Sequence, residues 1–173
     1  MEHPFSQFRF CPKCGSSHFE INDEKSKRCA ACGFVYYFNP SAATVALITD
    51  PQGRLLVCRR AKEPAKGTLD LPGGFIDMHE TAEEGVAREV REETGLVVKQ
   101  TNYLFSLPNI YLFSGFRVHT LDMFFRCEVD DIRSIEAKDD VADAFFVPLD
   151  EIHPADFGLD SIRSGVERFL HDF

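Results

Sequence analysis

The run Gly73–Leu96, GGFIDMHETAEEGVAREVREETGL, places six glutamates within fourteen residues of a chain whose net charge is already −9. Like charges on neighbouring helical turns repel, so this crowding costs stability unless something offsets it. Thr81 followed by Glu84 is a capping-box signature and Gly95 a left-handed terminator, which predicts a helix from Thr81 to about Thr94. On that helix Glu89, Glu92 and Glu93 share one face, with Gly85 and Ala82 one and two turns earlier keeping it open. Val86 and Val90 sit beside that face and are expected to pack the helix onto a sheet. Three carboxylates converging on an open face suit hard cations, which take oxygen ligands. A merely solvated helix would instead use the pairs Glu84–Arg88 and Arg88–Glu92. The preceding turn, Leu71-Pro72-Gly73-Gly74, favours the first reading, because it lets backbone approach a ligand closely, with Glu80 within reach of the loop.

Around this helix the pattern is mostly strand. TVALIT (44–49) and RLLVCRR (54–60) flank the turn 50–53, and AKEPAKGT (61–68) is a loop by composition. NYLFSL, FRVHTLDMFFRCEV and AFFVPL are rich in aromatic and β-branched residues and read as further strands. Ile162, Val166, Phe169 and Leu170 recur at helical spacing, predicting a packed amphipathic helix over 160–171. The fold class expected is α+β, a mixed sheet with few helices.

Ahead of it, Cys11-x2-Cys14 and Cys29-x2-Cys32, each followed by Gly, form two knuckles separated by fourteen residues. Four thiolates make a closed tetrahedral shell with no open position, so residues 1–38 are expected to be a structural zinc ribbon and residues 39–173 the main domain. His18 is superfluous to that shell. A redox role would need a thioredoxin-like context that the sequence lacks. Lys13, Lys25, Lys27 and Arg28 give the ribbon a small basic patch. Cys58 and Cys127 fall in strands and are expected to be buried, inert thiols.

Gly74, Glu80, Arg88, Glu89, Val90, Glu92, Glu93, Gly95 and Leu96 fill every specified place of Gly-x5-Glu-x7-Arg-Glu-U-x-Glu-Glu-x-Gly-U, with U apolar. In this the chain resembles the Nudix hydrolases. The resemblance implies an α/β/α sandwich and hydrolysis of a diphosphate linkage in a nucleoside diphosphate derivative. It implies Glu89, Glu92 and Glu93 as ligands of Mg²⁺ or Mn²⁺, the Gly73 carbonyl as a further ligand, and Arg88 and Glu80 as residues that hold the loop and carboxylates in position. Family members differ over the general base; Glu89 is the residue expected here. Many relatives also use an acid shortly before the last strand, which points to Asp140, with Glu136 and Asp139 as rivals.

A zinc ribbon before such a box resembles the NADH pyrophosphatase branch, whose signature Ser-Gln-Pro-Trp-Pro-Phe-Pro begins ten residues after the box. Here that position reads Ser106-Leu107-Pro108-Asn109-Ile110-Tyr111, keeping Ser106 and Pro108 and losing the remainder. NADH, NAD⁺ or an ADP-ribose-like dinucleotide is the substrate class implied, with Phe105, Ser106, Pro108, Tyr111 and Arg117 as candidate contacts. Two alternatives remain: a nucleotide-sensing regulator without turnover, and removal of NAD caps from RNA. The acidic balance disfavours broad adhesion to RNA or anionic membrane. No apolar run approaches the roughly 20 residues needed to cross a bilayer, and the start MEHPFSQFRF lacks a signal-peptide pattern. A cytoplasmic protein is expected, and the resemblance implies a homodimer.

Overall fold

The computed structural model describes residues 3–172. The chain divides into two compact units, Met1–Pro40 and Ser41–Phe173. In the first, β1 (Phe19–Asp23), β2 (Ser26–Cys29) and β3 (Val35–Tyr37) form an antiparallel sheet in that order. Its small core consists of Cys11, Phe19 and Cys29 with Phe34 against them, too little apolar surface to hold 40 residues without a further crosslink.

The second unit contains β4 (Ser41–Leu47), β5 (Arg54–Arg60), β6 (Leu69–Asp70), β7 (Gly73–Phe75), α1 (Ala82–Thr94), β8 (Val98–Phe113), β9 (Phe116–Val129), β10 (Val141–Pro148) and α2 (Asp160–Asp172). One sheet has the order β7-β4-β9-β8 and the other β10-β5-β6. The β4–β9 pair is parallel and the remaining pairs are antiparallel. Each helix covers its own core, and both cores draw on both sheets. Val45, Leu55, Val57, Phe105 and Phe124 meet Ile162, Val166 and Phe169 of α2; Ala46, Ile48, Leu56 and Phe125 meet Val86 and Val90 of α1. The period-two alternation of β4 and β9 sends neighbouring residues to opposite helices. This is an α/β/α sandwich on a mixed sheet.

Helix α1 begins and ends where its caps place it. The Thr81 hydroxyl accepts from the Glu84 amide, the Glu84 carboxylate accepts from the Thr81 amide, and Gly95 takes φ +73° and donates to the Arg91 carbonyl. Two strands differ from the sequence expectation. β4 starts at Ser41 rather than Thr44, because its first residues pair with β9. β8 runs for sixteen residues and includes Pro108. A proline is tolerated there because β8 is the sheet's edge, where one row of amides has no ladder partner to lose.

Candidate active site

The loop from β6 through β7 carries Leu71-Pro72-Gly73-Gly74 to Glu89 and Glu93 of α1. Two close approaches explain its glycines. A Cβ on Gly73, which has φ +152°, would stand 2.1 Å from the Thr44 carbonyl oxygen, and one on Gly74 would stand 2.6 Å from the Glu89 carboxylate. The Gly73 amide donates to Glu93 Oε2 at 2.9 Å, so the loop and the helix hold each other.

Arg88 organises the carboxylates. Its Nε and Nη2 donate to the two oxygens of Glu80 at 2.9 and 3.0 Å, and Nη2 also reaches the Phe75 carbonyl at 2.9 Å. Its Nη1 lies between Glu89 Oε1 at 2.8 Å and Glu92 Oε2 at 3.0 Å. Glu80 in turn accepts from the Asp77 amide. Hydrogen bonds from Arg88 hold the Glu80 carboxyl below its usual range, and Glu80 first among several carboxylates raises the Arg88 guanidinium. Burial raises Glu89, against the pull of Arg88. Burial also pushes Glu93 up to about 8, the Gly73 amide opposing and Asp70 and Glu89 adding to it. The expected Arg88–Glu92 pair forms. Glu84 is occupied in the cap instead.

These groups open onto a cavity of about 330 Å³. Eight carboxylates line it, those of Asp70, Asp77, Glu89, Glu92, Glu93, Asp122, Asp139 and Asp140, against one basic side chain, Arg60. Arg60 is itself committed: it pairs with Asp70 and donates to the Tyr111 hydroxyl at 3.5 Å. Burial opposes both members of that pair; it raises the Asp70 carboxyl despite Arg60, while Asp70 keeps the guanidinium raised despite burial. A lining rich in carboxylate oxygens and strongly anionic matches the donor preference of Mg²⁺ or Mn²⁺ and repels a bare diphosphate. Among the described residues only the four cysteines have their ligand atoms drawn together into one tight group; Glu89 and Glu92 are instead bridged by Arg88.

Of the residues anticipated from sequence, Gly73, Glu89, Glu92, Glu93, Asp140 and Tyr111 line this cavity, while Arg88 and Glu80 brace it from behind. Asp139 lines it beside Asp140, whose carboxylate pairs with Lys62. Glu136 is not among the lining residues and pairs with Lys138. Phe105 is not a cavity residue either: it is buried and stacked on Phe124 at 4.8 Å. All four odd positions share one face of β8: Phe105 and Leu107 meet the α2-side core, and Asn109 and Tyr111, farther along where that face runs on past the core, meet the cavity. Pro108 and Arg117 line a second groove with Ile110, Leu112 and His119, which shares Asn109 with the cavity, and Ser106 belongs to neither. Sequence reading missed Arg60, Asp70, Asn109 and Asp122. Asp122 had a signal, since it is the one acid within the apolar stretch TLDMFF.

In the ribbon, Cys11 and Cys32 Sγ are 3.8 Å apart and Cys14 and Cys29 Sγ are 3.7 Å apart. A tetrahedron with Zn–S bonds of ~2.3 Å has edges of about 3.8 Å. Two of the six edges match this, and all four sulfurs lie within 4.8 Å of one another, a group that could hold zinc.

A sandwich with a loop–helix carboxylate site at one end of its mixed sheet defines the class of fold. The chain belongs to the Nudix family: the NUDIX domain model matches residues 39–169. It is 34% identical over 150 residues to the NAD-capped RNA hydrolase NudC of Chromobacterium violaceum, covering 86% of this chain and 53% of that protein. It is 33% identical over 128 residues to the ADP-ribose pyrophosphatase of Methanocaldococcus jannaschii, covering 73% and 72%. The chain thus spans about half the length of the NudC relatives it matches. A NUDIX hydrolase from Nitrosomonas europaea superposes with a TM-score of 0.73 over 95% of this chain and 91% of that one, at 23% identity, a likeness of fold.

Proposed function

We propose that this chain hydrolyses a diphosphate linkage in a nucleoside diphosphate derivative, with NAD(H) or an ADP-ribose-like dinucleotide as its substrate class. The observation that carries the reading is the cavity in which Glu89, Glu92 and Glu93 meet an otherwise anionic lining, a place where a diphosphate is admitted only together with cations. Divalent metal bound to these carboxylates supplies charge neutralisation at the phosphates and an acidified water. The protein's own residues do the remainder. Arg88 and Glu80 keep the carboxylates in register, and the Gly73 loop fixes Glu93. Glu89, raised by burial, is suited to accept the proton of the attacking water. Asp139 and Asp140 add two further carboxylates to the lining, and Tyr111 offers an aromatic face to the substrate. The relatives named as an ADP-ribose pyrophosphatase and an NAD-capped RNA hydrolase support this substrate class.

NAD-cap removal is a second reading. In the ribbon Phe8, Phe10, Tyr36 and Tyr37 are exposed, as are Lys13, Lys25 and Arg28, residue types suited to stacking on unpaired bases. A homodimer accords with the open edge of β8 and the exposed Ile110, Leu112 and Phe113. No helix among the described residues is long and apolar enough to cross a membrane.

The test is phosphate release, through a coupled phosphatase, from NADH, NAD⁺, ADP-ribose, NAD-capped RNA, sugar nucleotides and nucleoside triphosphates, with Mg²⁺ or Mn²⁺. Turnover of the dinucleotides, lost in Glu92→Gln and Glu93→Gln, is the result expected. Tight nucleotide binding with no turnover of any of them would replace the enzyme by a sensor.

A further inference from the structure

Asp122 of β9 is 5% exposed and is followed two residues on by Phe124, which is fully buried on the same face. A buried carboxylate is costly unless it is paired or supplied with donors. Three reach it from three elements: Asn109 Nδ2 of β8 to Oδ2 at 3.1 Å, Thr120 Oγ1 of β9 to Oδ1 at 2.6 Å, and the Ser161 hydroxyl of α2 to Oδ2. None is charged, and the cavity's Arg60 is paired with Asp70. Apolar residues in place of the whole cluster would serve stability as well, since buried polar clusters replaced entirely by well-packed apolar residues are often no less stable. The cluster lies on the cavity wall, where Asn109, Thr120 and Asp122 all contribute, and the reaction outlined above makes no use of it.

What the cluster does follows from the chemistry of its members. A carboxylate only accepts, so Asp122 can be approached only by the NH₂ end of the Asn109 amide, and the amide cannot flip. Asn109 makes no other side-chain hydrogen bond among the described residues. Its second N–H and its carbonyl oxygen are left as a donor beside an acceptor. Asp122 Oδ1, with Thr120 as its one donor among the described residues, keeps a further lone pair. This edge is complementary to an amino group beside a ring nitrogen, the pairing an asparagine makes with adenine. Hypoxanthine puts a carbonyl where adenine has its amino group and would set acceptor against acceptor. Tyr111, two residues along the same face of β8 and edge-on to Phe75 at 5.9 Å, is placed to cover a base face.

We propose that Asn109 and Asp122 determine base specificity, selecting nucleotides whose base bears an amino group beside a ring nitrogen, as adenine does, with Thr120 and Ser161 as positioning residues. The proposal rests on the diphosphatase reading, which sets the diphosphate at the glutamates and the base against this wall.

The experiment is calorimetric binding of AMP and IMP, neither of which has a diphosphate to cut, alongside kcat/KM for ADP-ribose and its hypoxanthine counterpart. The full chain is expected to bind AMP at least about tenfold more tightly than IMP and to show the same ratio in kcat/KM. Asn109→Leu is expected to bring both ratios to near unity, while Ser161→Ala lowers them with kcat on ADP-ribose unchanged. Equal binding of AMP and IMP by the unsubstituted chain overturns the proposal, as does failure of both to bind at millimolar concentration; neither result depends on a variant folding. A preference for AMP that Asn109→Leu abolishes, with no dinucleotide hydrolysed, leaves this inference standing and removes the diphosphatase reading. Hydrolysis without base preference does the reverse.

Discussion

Two adjacent glycines should fail in different ways when given a methyl group. Gly74 has no positive φ, so its backbone accepts alanine. The new Cβ would lie 2.6 Å from Glu89 Cδ and Oε1 and 2.8 Å from Oε2, where ordinary contact begins at 3.4 Å. The obstacle is the far end of a flexible side chain, so Glu89 retreats by about 0.8 Å and the fold is retained. Displacement of a catalytic group by about 1 Å costs on the order of 10²-fold in rate. Gly74→Ala is therefore expected to lower kcat about 10²-fold and to change stability by less than about 1 kcal/mol. At Gly73 the methyl group meets backbone: 2.1 Å from the Thr44 oxygen and 2.9 Å from its carbon, at φ +152°. Nothing there yields without parting β7 from β4, and Gly73→Ala should cost roughly 3 kcal/mol or more from strain and overpacking together. Urea titration and steady-state turnover on both variants check this. A Gly74→Ala protein with kcat within twofold of the parent, or one as destabilised as Gly73→Ala, would refute the reasoning.

Two further outcomes follow from burial. Burial pushes the Cys127 thiol up to about 12 and also raises Cys58 well above its usual value, so at pH 8 about one Cys127 in 10⁴ is thiolate. After zinc chelation, a disulfide reagent at pH 8 should label the four ribbon cysteines quickly and Cys58 and Cys127 only on unfolding, with the unfolding midpoint of the larger unit unchanged because that unit has its own cores; rapid labelling of all six would contradict this. Phe105→Ala should cost about 3–5 kcal/mol of stability in urea titration, whereas Tyr111→Leu, which removes the aromatic face, should leave stability within about 1 kcal/mol and raise KM; the reverse pattern would return Phe105 to the binding site.

The helix α1 was legible because each of its determinants is local. Thr81, Glu84 and Gly95 act within one turn of the helix ends, and the 3.6-residue period places Glu89, Glu92 and Glu93 on one face whatever surrounds them. The ribbon was legible for a similar reason, as four thiolates at knuckle spacing have few other stable arrangements than around a metal. Strand interiors were recognised, but their ends were not, since Ser41–Ala43 and Pro108 become strand only through partners on β9.

By itself the sequence determined which groups are chemically available: carboxylates on one helical face, an arginine among them, two glycines before them, and two cysteine knuckles. The tertiary structure alone decided which remaining side chains join them. Phe105 and Tyr111 stand on the same face of one strand, yet one is sealed under α2 and the other opens to the cavity, because the face runs on past the core. Asn109, Asp122 and Ser161 are spread over 53 positions of the sequence and meet only where β8, β9 and the start of α2 converge. Local order is written in neighbouring residues, whose spacing along the chain fixes their geometry. Convergence of distant residues depends on register between strands and on the helix packed across them, and no stretch of sequence carries that information alone.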